Sequence, residues 1–191
     1  MRVKELIGKL VAKEREPMFR LFGELVKPST HSTLLDIGGP TKGLPEVFAG
    51  VTSVNIKGAD IIGDARCLPF GDKSFDYVFS NATLEHIPKE DWPRVASEVM
   101  RVAGKGFFIA TPNYHFPLEP HYLIPYAQLL PRFIKRHLPH IWSSQDYSVD
   151  INLPRKAELQ SLFPDATVVG WGRIIPRHLI AWQKKGGKKR C

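Results

Sequence analysis

Four short groupings in this 191-residue chain place polar or glycine residues directly behind apolar runs. Asp36-Ile37-Gly38-Gly39 closes the run Leu34-Leu35. Asn55 follows Val51-Thr52-Ser53-Val54. Gly63-Asp64-Ala65 follows Ala59 to Ile62, and Ser80-Asn81 ends Phe75-Asp76-Tyr77-Val78-Phe79. Glycines let a ligand approach the backbone, and a helix starting just beyond them offers unpaired N–H groups. Carboxylates and amides can hold the hydroxyl and amino groups of a bound molecule. His86, His115 and His121 add side chains able to take up a proton near neutral pH.

The elements that must carry these groups read as an α/β alternation. Residues 2–15 and a second segment opening at Pro17 show helical spacing, the second ending before Pro28. Both helices are expected to cover one end of a sheet. Strands are expected at 33–38, 51–56, 59–62, 75–80 and 106–111. A helix bearing Trp92, Val95, Ala96, Val99 and Val102 on one face is expected to break at Gly104 and Gly106. A helix over 154–163 and strands at 167–174 and 178–183 close the chain, the last two as a hairpin. Strands that alternate with helices and are apolar nearly throughout imply a mostly parallel sheet covered on both faces. In such a sheet ligands bind at the carboxyl ends of the strands, where the four groupings fall.

Read together, these segments resemble a known family. Leu34-Leu35-Asp36-Ile37-Gly38-Gly39 looks like the first motif of class I methyltransferases. Gly63-Asp64-Ala65-Arg66-Cys67-Leu68-Pro69-Phe70, Ser74-Phe75-Asp76-Tyr77-Val78 and Leu84-Glu85-His86-Ile87 follow in the order found in the type 11 branch. Glu98-Val99-Met100-Arg101-Val102 and Thr111-Pro112-Asn113 fit that branch too. The resemblance implies a Rossmann-like sheet of seven strands with a C-terminal antiparallel hairpin. It implies S-adenosyl-L-methionine as cofactor and S-adenosyl-L-homocysteine as product. Gly38 and Gly39 would face the methionine part, with Asp36 near its amino group or fixing the loop. Asp64 and Ala65 would meet the adenine, and Asn81 the methionine end.

The chain departs from the family pattern in three places. Pro40-Thr41-Lys42-Gly43 replaces a glycine ending and removes one N–H donor. Asn55 stands where the family has a carboxylate for the ribose diol, at a cost on the order of 1 kcal/mol. The helix between strands two and three is missing, since only Lys57 and Gly58 separate Ile56 from Ala59. Asp60 is then either a substitute carboxylate or a solvated loop residue. The neighbouring sheet edge is expected to be less covered than usual, which favours a partner there.

The chain is expected to be one methyltransferase domain over 1–191, with 112–153 as a substrate-lid insertion. His86 either faces the transferred methyl group or packs its own helix. His115 and His121 lie over the cofactor crevice. Histidines 115, 121, 137 and 140 form no compact ligand pattern, and no metal is expected. The basic amphipathic stretch from Tyr122 to Ile141 suits a lid, or peripheral membrane contact. The net charge of +8 is partly in the lysine-rich tail, and no nucleic-acid module accompanies it. Cys67 and Cys191 are isolated, no apolar run is long enough to span a bilayer, and the first sixteen residues are charged throughout. A cytoplasmic location is expected. The expected acceptor is a small, lipid- or sugar-linked molecule. The alternatives are a non-catalytic methyltransferase-fold binding module and, less consistent with the glycine spacing, a nicotinamide-dependent enzyme.

Overall fold

The computed structural model describes residues 17–39, 50–118, 125–131, 134, 151–172 and 174–185. Seven strands form one sheet: β1 (Thr33–Ile37), β2 (Gly50–Asn55), β3 (Ile61–Ile62), β4 (Phe75–Asn81), β5 (Ala103–Pro112), β6 (Thr167–Trp171) and β7 (His178–Lys184). Their order across the sheet is β3-β2-β1-β4-β5-β7-β6. The first five strands pair in parallel. β7 inserts antiparallel between β5 and β6, as the C-terminal hairpin reading requires. Residues 56–60 form bends and no helix, so β2 passes to β3 by a short connection as expected.

Side-chain alternation along the strands splits the core into two layers. On one face Leu35, Ile37, Val78, Phe107 and Ile109 meet α2 (Trp92–Val102) and α3 (Lys156–Leu162). On the other, Leu34, Tyr77, Phe79, Phe108 and Ile180 meet α1, residues 17–26. Phe19 stacks on Phe79 at 4.4 Å between centroids, and Phe79 on Phe108 at 5.5 Å. α1 therefore covers a face of the sheet and not its end, because Met18, Phe19, Phe22 and Val26 form one apolar stripe. It stops before Pro28: Lys27 turns to φ 48, and its N–H reaches back to the Gly23 carbonyl at 3.0 Å. The helix expected over residues 2–15 lies outside the described residues.

Gly104 and Gly106 do not break α2. Ala103 turns extended straight after Val102, and both glycines lie inside β5. Gly106 is needed for close approach, since a methyl group there would overlap the Gln183 carbonyl of β7. No helix among the described residues is long and apolar enough to cross a membrane.

Candidate functional site

The parallel register brings the carboxyl ends of β1, β2 and β4 to one edge of the sheet. Ile37 lies beside Val54 on one side and Ser80 on the other. Three side chains fix the turn that leaves β1. The Ile37 carbonyl accepts from Ser80 Oγ at 3.1 Å and from Thr83 Oγ1 at 3.1 Å. Gly38 donates its N–H to the Val54 carbonyl at 2.9 Å, and its own carbonyl accepts from Asn55 Nδ2 at 3.2 Å. Gly38 has φ +84, and a Cβ there would overlap the Thr83 side chain. Only glycine suits both conditions. Gly39 is buried beside it, and the loop beyond, 40–49, is outside the described residues. Asp36 is fully buried within β1, in register with Ser53 and Phe79.

Asn55 uses both ends of its amide within the chain. Nδ2 holds the Gly38 carbonyl, and Oδ1 accepts the Ile56 N–H at 2.7 Å. Asp60 is exposed in the bend after β2, as the loop reading expects, and still folds back on that strand. Its Oδ2 accepts from Ser53 N and Oγ, both at 2.8 Å, and so closes the outer edge of β2.

Asp64 and Ala65 open the loop between β3 and β4. The Asp64 carboxylate is clasped by Arg66 through Nε at 3.0 Å, Nη2 at 2.6 Å and the backbone N–H at 2.9 Å. The guanidinium's hydrogen bonds hold its pKa below the usual carboxylate range. The same arginine reaches Asp91 at 2.8 Å. Ala65 lines a small apolar pocket of about 10 Å³ with Ile37, Ser80, Thr83, Leu84 and Phe163, among others. That is room for one water molecule at most.

At the end of β4, Asn81 Oδ1 is buried and has no hydrogen-bond partner among the described residues. The next residue, Ala82, has φ 56, and its N–H is held by the Ala110 carbonyl at 2.9 Å. A left-handed alanine behind an unpaired buried acceptor marks a site held in place by its surroundings. The acceptor suits an ammonium or other N–H donor from a ligand, which is what the methionine end of S-adenosylmethionine offers. By this test the residues present fit that cofactor.

His86 ends a 3-10 turn, Leu84–His86, and is half-buried. Trp92 Nε1 donates to the Leu84 and Ile87 carbonyls at 3.0 and 3.1 Å, and Asn152 N donates to the Glu85 carbonyl at 2.8 Å. His115 is exposed beyond β5, edge-on to Tyr114 at 5.3 Å between ring centroids. His121, with most of the amphipathic stretch from Tyr122 to Ile141, lies outside the described residues. Among the described residues no group of histidine, cysteine, aspartate and glutamate could hold a metal ion.

Sequence reasoning gave no role to Thr83 or Glu85, and placed Ser80 at the end of β4 without its bond to the Ile37 carbonyl. Glu85 is fully buried and its Oε2 accepts from Thr111 Oγ1 at 3.3 Å. Its one signal was an acidic residue enclosed in Leu84-Glu85-His86-Ile87. Thr83 carried none, and the position of Ser80 did not name its partner, because Ile37 lies 43 and 46 residues away from the serine and the threonine.

Residues 43–110 match the family model described as "Methyltransferase domain". An uncharacterized protein of Mycobacterium tuberculosis is 46% identical over 56 residues, which are 28% of this chain and 18% of that relative. The PH0226 protein of Pyrococcus horikoshii OT3 shares the fold with a TM-score of 0.62 and 20% identity, over 90% of this chain and 89% of that one. Geranyl diphosphate C-methyltransferase of Streptomyces coelicolor, solved with Mg2+, geranyl diphosphate and S-adenosyl-L-homocysteine, superposes with a TM-score of 0.59 and 11% identity. That match covers 89% of this chain and 80% of that one. Residues 43–110 thus resemble a methyltransferase domain, the chain spans about a fifth of the length of the curated relative it matches, and the seven-strand order is the fold that the solved structures share.

Proposed function

We propose that this protein transfers a methyl group from S-adenosylmethionine to a small, lipid- or sugar-linked acceptor. The observation that carries the reading is the edge where β1 and β4 end. A glycine that nothing larger can replace meets a buried, unpartnered Asn81 oxygen there. Gly38, Gly39 and Asn81 would hold the methionine part, and Ala65 would flank the nucleoside. Asp64 keeps an exposed flank for the adenine amino group, although Arg66 already engages both its oxygens. When bound, the cofactor supplies an electrophilic methyl group. The chain's own task is alignment and exclusion of water. Residues 112–153 would form the lid that does both. Its described parts are tied down by Gln128 Nε2, which donates to the Tyr114 and Phe116 carbonyls at 3.1 and 2.9 Å. His86, His115 and His121 are the candidates to take a proton from a hydroxyl or amine acceptor. A lipid-linked acceptor is in keeping with the geranyl diphosphate bound by the Streptomyces structure. Titration of the protein with S-adenosylhomocysteine in a calorimeter should give saturable heat. No heat and no thermal shift at millimolar cofactor would count decisively against the reading.

A second reading, a binding module of the same fold without catalysis, is favoured by Asn55. Its amide is engaged by Gly38 and Ile56, so the position usual for a ribose carboxylate keeps at most one uncharged lone pair for a diol. Cofactor binding without methyl transfer to any member of a panel of hydroxyl, amine and prenyl acceptors would support it.

A further inference from the structure

We propose that Glu98 and Arg101 on α2 are positioning residues that hold the loop over residues 64–72 and thereby set cofactor affinity. The inference rests on the reading that Asp64 and Ala65 in this loop meet the cofactor. Apart from one bridge between Asp64 and Cys67, the loop has no strand partner among the described residues. The Arg66, Cys67 and Phe70 N–H groups bond within the loop, and the helix meets three of its other backbone bonds. Leu68 N donates to Glu98 Oε2 at 2.7 Å. Arg101 Nη1 donates to the Phe70 carbonyl at 2.7 Å, and Nη2 to the Leu68 carbonyl at 3.2 Å. Arg101 also reaches Asp72 at 3.0 Å, and its own carbonyl accepts the Lys73 N–H at 2.8 Å.

Residues three apart share a helix face, so Glu98 and Arg101 stand side by side and pair at 2.7 Å. The carboxylate is held below its usual pKa, first by the Arg101 hydrogen bond and further by the Leu68 N–H, against the opposing effect of burial. The chemistry is polar in one direction: the loop needs an acceptor for one N–H and a donor for two carbonyls. A carboxylate and a guanidinium supply those roles in this order and not in the reverse. Arg66 makes a second tie to Asp91, just ahead of α2, so the helix grips the loop at both ends. Neither Glu98 nor Arg101 lies at the strand ends, so their influence on a ligand must pass through the loop.

The rival explanation is an ordinary helical ion pair that stabilises α2 alone. Charge reversal separates the two. Purified Glu98→Arg/Arg101→Glu, Arg101→Lys and wild-type proteins are titrated with S-adenosylhomocysteine, and Leu68 amide exchange is measured without it. The reversal is expected to weaken binding about tenfold and to expose the Leu68 amide, although the ion pair is restored. Arg101→Lys, which keeps the charge but not the fork, should fall between and serves alone if the reversal does not fold. Wild-type affinity and Leu68 protection in the reversal would overturn the inference while leaving the methyltransferase reading intact. A wild-type protein that binds no S-adenosylhomocysteine would overturn that reading, and with it the link to affinity.

Discussion

Asn55 is an amide at the position proposed to face a ribose diol, and its neighbours suit an amide there. Only an amide can give a proton to the Gly38 carbonyl while accepting one from the Ile56 N–H. Asn55→Asp would set a carboxylate against that carbonyl. The expected outcome is a loss of about 1–2 kcal/mol in chemical denaturation, with no tightening of S-adenosylhomocysteine binding. Unchanged stability with tighter binding would show that the side chain is free to turn to the cofactor. His178 offers a pH signature of its own. It lies opposite Pro112 and Trp171 at the same edge of the sheet, and its Nδ1 is buried without a hydrogen-bond partner among the described residues. Burial, and then the nearby Arg177 charge, lower its pKa from 6.5 to about 4. The folded protein therefore holds the ring neutral where the unfolded chain protonates it. Stability from this group is complete above pH 6.5 and declines as pH falls towards 4, by at most about 1.4 kcal/mol per pH unit. Denaturation curves of wild type and His178→Phe should diverge in that window. The depressed carboxylates Asp64 and Glu98 act at lower pH, where their protonation removes the Arg66 and Arg101 bonds.

At the scale of elements, the junctions decide the site. The turn after β1 is fixed by Ser80 and Thr83 from β4 and beyond, and the loop after β3 by α2. α2 passes into β5 with no turn between them, and β7 then lies so close to β5 that Gly106 has no room for a side chain. Gly106→Val should force β7 away and cost on the order of 3 kcal/mol, read as a lowered denaturation midpoint. A midpoint within a degree of wild type would mean that β7 is not packed on β5 as described. The strands and α2 were legible because period-two and 3.6-residue patterns are local. The role of Gly106 was not, because the atom it makes room for belongs to a strand 77 residues on (183 − 106). Asp60 is the exposed loop residue expected, but nothing in its own neighbourhood says that it also folds back on Ser53.

Across the whole molecule, the sheet is sandwiched between two apolar layers, and both rest on side chains that the strand patterns already placed inward. The fold could be read from sequence because parallel strands buried on both faces carry an unbroken apolar signature. The short connection from β2 to β3 leaves an end strand of two residues, with Ile62 65% exposed. Asp60 blunts the rest of that edge by occupying the Ser53 N–H. The site was only partly legible. Its glycine, amide and aspartate positions stand out as types, whereas the Asn55 and Asp64 partners depend on side-chain direction. The proposed cofactor site lies across the ends of β1 and β4. Hydrogen exchange of the whole chain with and without S-adenosylhomocysteine tests it most directly. The expected result is added protection at Gly38–Gly39 and Asn81–Thr83, with a smaller effect at Asp64–Ala65. Protection confined to other segments, or none at saturating ligand, would contradict it.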